Sequence, residues 1–173
     1  SGASLNGGSG ASNYAQIQSY GTLQQLNVSG GGLQLDGGNG ASDNFARIQA
    51  INGSQSITGA PNITLTGGTV GADLLGNFAA ISATLGTQTI VANNLALQAG
   101  PSGINNYAVV AAPTQNLTVQ GSLTMTGGGS AKSLNGTVGG GARIGGTLSS
   151  ASDVTLNVAS NVTLTGGSVA GAG

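Results

Sequence analysis

The side chains in this chain that could do chemistry are few, and their types narrow the possibilities at once. The acids are Asp36, Asp43, Asp73 and Asp153, the cations are Arg47, Lys132 and Arg143, and histidine, cysteine and glutamate are absent. Thiol catalysis, disulfides, zinc ligation by Cys or His, and the commonest general base are thereby excluded. Glycoside cleavage needs paired carboxylates, or a strong base beside a metal, at defined separations. Four aspartates scattered between positions 36 and 153 supply neither. The abundant serines and threonines have no base to activate them, and Lys132 has no evident partner. The residue types therefore point to no catalytic constellation and no cofactor.

Three weaker arrangements remain. Asp43 and Asp73 each follow a leucine, Leu35 and Leu65, by eight residues, which makes them candidates for a calcium ion shared between neighbouring loops. Calcium takes about six to eight oxygen ligands, and the charge does not recur, since Asn13, Asn105 and Ser133 stand at or near that place elsewhere. Solvated loop carboxylates are the plainer reading. Tyr14, Phe45, Phe78 and Tyr107, each preceded by an asparagine, fall in one column of a repeat. Exposed rings in a row can stack on sugar faces, and rings in contact can equally brace neighbouring turns, which is the commoner use. Pairs such as Thr64-x-Thr66, Thr124-x-Thr126 and Thr163-x-Thr165 suggest an ice-ordering array, but Gln34-x-Asp36 and Ala96-x-Gln98 interrupt the column.

What positions these residues is a repeat. Asn13-Tyr14-Ala15-Gln16-Ile17 returns as Asn44-Phe45-Ala46-Arg47-Ile48, Asn77-Phe78-Ala79-Ala80-Ile81 and Asn106-Tyr107-Ala108-Val109-Val110, and in eroded form as Gly140-Gly141-Ala142-Arg143-Ile144. Two further apolar-x-apolar steps follow in each unit, as in Leu26-Asn27-Val28 and Leu33-Gln34-Leu35. The phase residues Leu5, Leu35, Leu65, Leu97, Met125 and Leu164 are separated by 30, 30, 32, 28 and 39 residues. A period of this size without helical spacing marks a solenoid. Alternation places Ala15/Ile17, Ala46/Ile48 and Ala142/Ile144 on one face and Gln16, Arg47 and Arg143 on the other. The second strand contributes Leu26, Ile57, Ile90, Leu117 and Leu156 as an inward column, and the third contributes the phase residues. Glycine pairs after the third strand mark a sharp corner. The expectation is an all-β parallel β-helix of about five turns, roughly 30 residues and three short strands per turn, forming one domain over residues 1–173.

Composition agrees. Apolar residues make up 38% of the chain and 34 residues are glycine, so a core must be built from small side chains. The net charge of −1 leaves no electrostatic footprint for nucleic acid. No run approaches the ~18 apolar residues of a membrane-spanning helix.

Tandem units of this kind, with Thr64-Leu65-Thr66-Gly67-Gly68 and Thr163-Leu164-Thr165-Gly166-Gly167 closing them, resemble the repeat regions of filamentous-haemagglutinin-like exoproteins of the two-partner secretion class. The resemblance covers essentially the whole chain and carries no catalytic signature. It implies a right-handed parallel β-helix, export to the surface of a Gram-negative cell, and a part in adhesion, biofilm or fibre formation. The amino-terminal secretion domain of that family has no counterpart here. Both ends fall in the same phase of the repeat and neither carries a cap, so the expected partners are flanking repeats or copies of the chain end to end, with lateral rod contacts and surface glycans as further candidates.

Overall fold

A computed structural model of the chain describes residues 2–41, 43–69, 76–129, 140–146 and 151–168. Their regular elements are all strands, numbered in chain order and gathered into three parallel sheets. Sheet I stacks β1 (Ala3–Asn6), β4 (Gly32–Asp36), β7 (Asn62–Thr66), β10 (Leu95–Gln98), β13 (Leu123–Thr126) and β16 (Val162–Thr165). Sheet II stacks β2 (Tyr14–Ser19), β5 (Phe45–Ala50), β8 (Phe78–Ala83), β11 (Ala108–Ala111) and β14 (Ala142–Gly145). Sheet III stacks β3 (Leu23–Asn27), β6 (Ser54–Thr58), β9 (Thr87–Ala92), β12 (Thr114–Val119) and β15 (Asp153–Val158). The chain passes through the three sheets in rotation and returns one rung higher: a β-solenoid with three strands per turn. In sheet II successive strands pair at offsets of 31, 33, 29 and 34 residues.

The alternation in the sequence is the reason for this architecture. Strands in a solenoid bury one face only, so period two is kept while the main-chain groups of the inner strands pair with the turns above and below. Leu5, Leu35, Leu65, Leu97, Met125 and Leu164 are in register across sheet I. Leu26, Ile57, Ile90, Leu117 and Leu156 are in register across sheet III. With Ala46, Ile48, Ala79, Ile81, Ala108 and Val110 from sheet II, the members of these columns other than the exposed Leu156 and Leu164 form one continuous core. Each fully buried leucine or isoleucine contributes about 1.5–3 kcal/mol, which suits a chain with few aromatics. The ladder also continues through the corners: Val28 N–H donates to Thr58 O at 3.0 Å and Thr84 N–H to Ala50 O at 2.9 Å.

The glycine corners have two separate causes. Gly8 and Gly38 both adopt φ of 84°, the left-handed region that a side chain resists. At Gly67 the reason is approach: a Cβ there would lie 2.7 Å from Gly100 N and 2.8 Å from Asn106 O, both main-chain atoms. Among the described residues Val154, Leu156, Val162, Leu164 and Ile17 are exposed in the first and last described turns, while Gln88, Ile90, Leu95, Leu97 and Ile48 in the same columns of the middle turns are buried.

Candidate functional site

Two ladders of amides run through the interior, one at a corner and one inside a sheet. Asn44, Asn77 and Asn106 are fully buried at the entry to sheet II. Each side-chain oxygen accepts from the main-chain N–H of the asparagine one turn earlier: Asn13 N–H donates to Asn44 Oδ1 at 2.8 Å, Asn44 N–H to Asn77 Oδ1 at 2.9 Å, and Asn77 N–H to Asn106 Oδ1 at 2.5 Å. The amide nitrogens turn outward onto loop carbonyls, with Asn77 Nδ2 donating to Gly40 O at 3.1 Å and Thr69 O at 3.0 Å. The asparagine column is thus the device that sews variable loops to a constant corner.

The second ladder was not anticipated as a buried column. Gln24, Gln55, Gln88 and Gln115 point into the core of sheet III beside the Leu26 column. Gln55 Nε2 donates to Gln24 Oε1 at 2.7 Å, Gln88 Nε2 to Gln55 Oε1 at 2.7 Å, and Gln115 Nε2 to Gln88 Oε1 at 2.6 Å. The amide nitrogens also donate to main-chain carbonyls of the sheet II strands, as in Gln24 Nε2 to Gln49 O at 3.1 Å and Gln55 Nε2 to Ser82 O at 3.2 Å. Sequence carried the signal: Gln24-x-Leu26, Gln55-x-Ile57, Gln88-x-Ile90 and Gln115-x-Leu117 share parity with the core leucines.

On the outer face of sheet II the aromatic column forms as a stack. Ring centroids are 4.9 Å apart for Tyr14 and Phe45, 5.0 Å for Phe45 and Phe78, and 4.8 Å for Phe78 and Tyr107, with interplanar angles of 3°, 10° and 9°. The rings face one another along the axis. Phe45 and Phe78 therefore present edges to solvent, and only the terminal rings of the stack keep a face without an aromatic neighbour. Half-burial drives the Tyr107 phenol up to about 12 by desolvation, against the opposing pull of Arg143 and Arg47 and with a smaller push from Asp43.

Beside this stack lies an open groove lined by Tyr14, Gln16, Gln18, Tyr20, Phe45 and Arg47. Tyr14, Gln16, Gln18 and Tyr20 fall at every second position, so β2 and the residue that follows it supply a tyrosine at each end and amides between. The Arg47 guanidinium sits 4.8 Å from the Phe45 centroid, and its Nη2 donates to Gln16 Oε1 at 3.0 Å. Tyr14 is 63% exposed and Tyr20 68%, so the groove has two rings accessible to a ligand. Tyr20 was not among the residues expected to take part, because it lies outside the repeated column.

Asp43 occupies a corner rather than a cluster. Its φ is 64°, matched by Ser12 at 55° and Asn105 at 56°, each just before a ladder asparagine. Aspartate and asparagine tolerate this region better than most residues, which accounts for the type found there. Asp73, Lys132 and Ser133 lie outside the described residues. Among the described residues no three metal-ligating side chains gather. The Thr64, Thr124 and Thr163 pairs lie in register on sheet I, with Gln34 and Ala96 interrupting the column. No helix among the described residues is long and apolar enough to cross a membrane. Comparisons with protein-family models, with curated proteins and with solved structures find no match to this chain.

Proposed function

We propose that this chain is a structural element, a stiff segment of an extracellular or cell-surface fibre or adhesin shaft, without enzymatic activity. The observation that carries this reading is where the interior polar groups go. The buried Gln24, Gln55, Gln88 and Gln115 side chains bond from turn to turn along the axis, and the asparagines do the same at the corner. Side chains that could have lined a site instead couple each turn to the next, which resists bending and local opening. Low charge on the outer faces is compatible with side-by-side packing of rods, and the repeat style supports export to the outside of a bacterial cell. Electron microscopy of the native material, with diffraction, tests it: filaments carrying a ~4.8 Å axial repeat are expected. A preparation of short, dispersed rods with no filaments would remove the fibre.

The second reading, a glycan-binding adhesin module, is favoured by the groove. Two exposed tyrosines separated by amides, at the start of β2 and just past its end, suit a linear sugar chain, with ring stacking at the ends and hydrogen bonds between. On this reading Tyr14→Ala and Tyr20→Ala abolish retention on a glycan array without unfolding the rod, whereas Phe78→Ala weakens the rod.

A further inference from the structure

One column on the outer face of sheet II shrinks from turn to turn. Gln18, Gln49, Ser82, Ala111 and Gly145 are in register there, so the side chains fall from an amide to nothing along the axis. Beside this column, where the chain leaves the sheet, Ala50, Ala83 and Ala112 pack as a small buried cluster of their own. With so little side chain above Gln49, a cleft of about 160 Å³ opens at the corner between sheets II and III. Gln49, Ser82 and Thr84 give it polar walls, and Ala111, Ala112 and Pro113 give it apolar ones. Gly146 lines it from the following turn, so the cleft is set within the stack, between described turns on either side.

The lining limits what fills this space. None of the lining residues is charged, and a charged substituent drawn in would lose water without gaining a counterion. The volume is close to that of an engineered cavity of about 150 Å³ that takes up benzene, and well below the ~300 Å³ of sites that enclose a whole drug-sized ligand. It suits one neutral side group rather than a sugar ring. Ala111, Ala112 and Pro113 offer apolar surface to a methyl. Thr84 Oγ1 accepts from Gln49 Nε2 at 3.2 Å, so its own hydrogen is left for a carbonyl oxygen, and the Ser82 hydroxyl is able to accept from an amide N–H. A methyl, a carbonyl and an N–H in one small neutral group make an acetamido group. Resting on the glycan-binding reading above, we infer that the cleft is a subsite for the acetamido group of an N-acetylated sugar. The tyrosine groove adjoins it: Gln18 lines the groove, Gln49 lines the cleft, and Gln18 Nε2 donates to Gln49 Oε1 at 3.2 Å. A glycan laid along the axis passes from one to the other. Leu85, the residue after Thr84, is 56% exposed and adds apolar surface at the same corner.

Chitotetraose and cellotetraose are the same β-linked chain with and without an acetamido group on each sugar, so together they separate the cleft from the groove. Saturation-transfer NMR of the protein with chitotetraose is expected to give its strongest signal at the acetamido methyl. Titration calorimetry is expected to show chitotetraose bound about tenfold more tightly than cellotetraose, or better. Ser82→Leu, which fills the cleft, is expected to remove that preference and leave cellotetraose binding as it was. Thr84→Val keeps the shape of the wall and removes the hydroxyl, and is expected to weaken chitotetraose binding by about tenfold; it serves as the test if Ser82→Leu fails to fold by circular dichroism. Equal affinities for the two sugars, transfer confined to the ring protons, or a preference that survives both variants would each overturn the inference and leave the glycan-binding groove standing. If neither tetraose binds while other glycans are retained on an array, the acetamido subsite alone is overturned. Retention of no glycan at all overturns it together with the glycan-binding reading.

Discussion

Gln115 and Val154 face each other across one rung of sheet III, and there the glutamine ladder ends with the buried Oε1 of Gln115 accepting no hydrogen bond. Every earlier glutamine in the column receives one from the turn above. An unpaired buried acceptor costs about 1–3 kcal/mol, so the position above it is where stability is most easily gained. Val154→Gln is expected to extend the ladder and to raise the unfolding free energy by about 0.5–1 kcal/mol, read from the urea midpoint at constant slope. Val154→Thr, too short to reach Gln115, provides the comparison. Equal midpoints for the two variants would exclude the ladder as the cause.

The middle of the same column predicts the opposite sign. Gln88→Leu leaves Gln55 Oε1 without its donor and Gln115 Nε2 without its acceptor, both buried. A loss of about 3 kcal/mol is expected, larger than the volume change alone would give. Replacing Gln24, Gln55, Gln88 and Gln115 together by leucine removes donors and acceptors in pairs. That fourfold variant is expected to lose less than Gln88→Leu does, and a loss four times as large would show the amides to be independent of one another.

The repeat made the fold readable. Leu35 and Leu65 announce their own stacking because a solenoid copies one environment turn after turn, and a pattern seen in one unit is tested by the next. The glutamine column shares that parity and so was present in the text, but glutamine is seldom fully buried, and its type argues for the surface unless the ladder partner is known. The aromatic column was legible as a column. That its rings would stack face to face, closing Phe45 and Phe78 to a sugar, follows from the rung spacing only once the side-chain direction is fixed. The groove was illegible for a different reason: Tyr20 belongs to one unit and not to the repeat, and Gln18 recurs only once, as Gln49, so periodicity gives them little weight.

Phe78 and Tyr14 separate bracing from binding. Phe78 stacks on Phe45 and Tyr107 together, whereas Tyr14 stacks on Phe45 alone and is mostly exposed. Phe78→Ala is expected to cost about 3 kcal/mol, through lost area and two ring contacts, and Tyr14→Ala about 1 kcal/mol. Thermal unfolding followed by circular dichroism reads both. A larger cost at Tyr14 than at Phe78 would mean that the stack does not brace the turns.

Tyr107 gives the rod an alkaline limit with a definite sign. Burial raises its phenol from 10.0 to about 12 in the folded chain, so between those values the folded state holds a proton that the unfolded state has released. Proton binding that favours the folded state makes stability fall as pH rises across the interval. The contribution is fully present below about pH 10 and is lost as pH climbs through about 12. Tyr107→Phe carries no ionisable group at that place, so its stability is expected to decline less steeply than that of the parent over the same range. Parallel urea unfolding of the two proteins at a series of alkaline pH values checks this. Superimposable pH profiles would show that the Tyr107 hydroxyl is already solvated in the folded rod, and that the outer end of the aromatic stack is open to water.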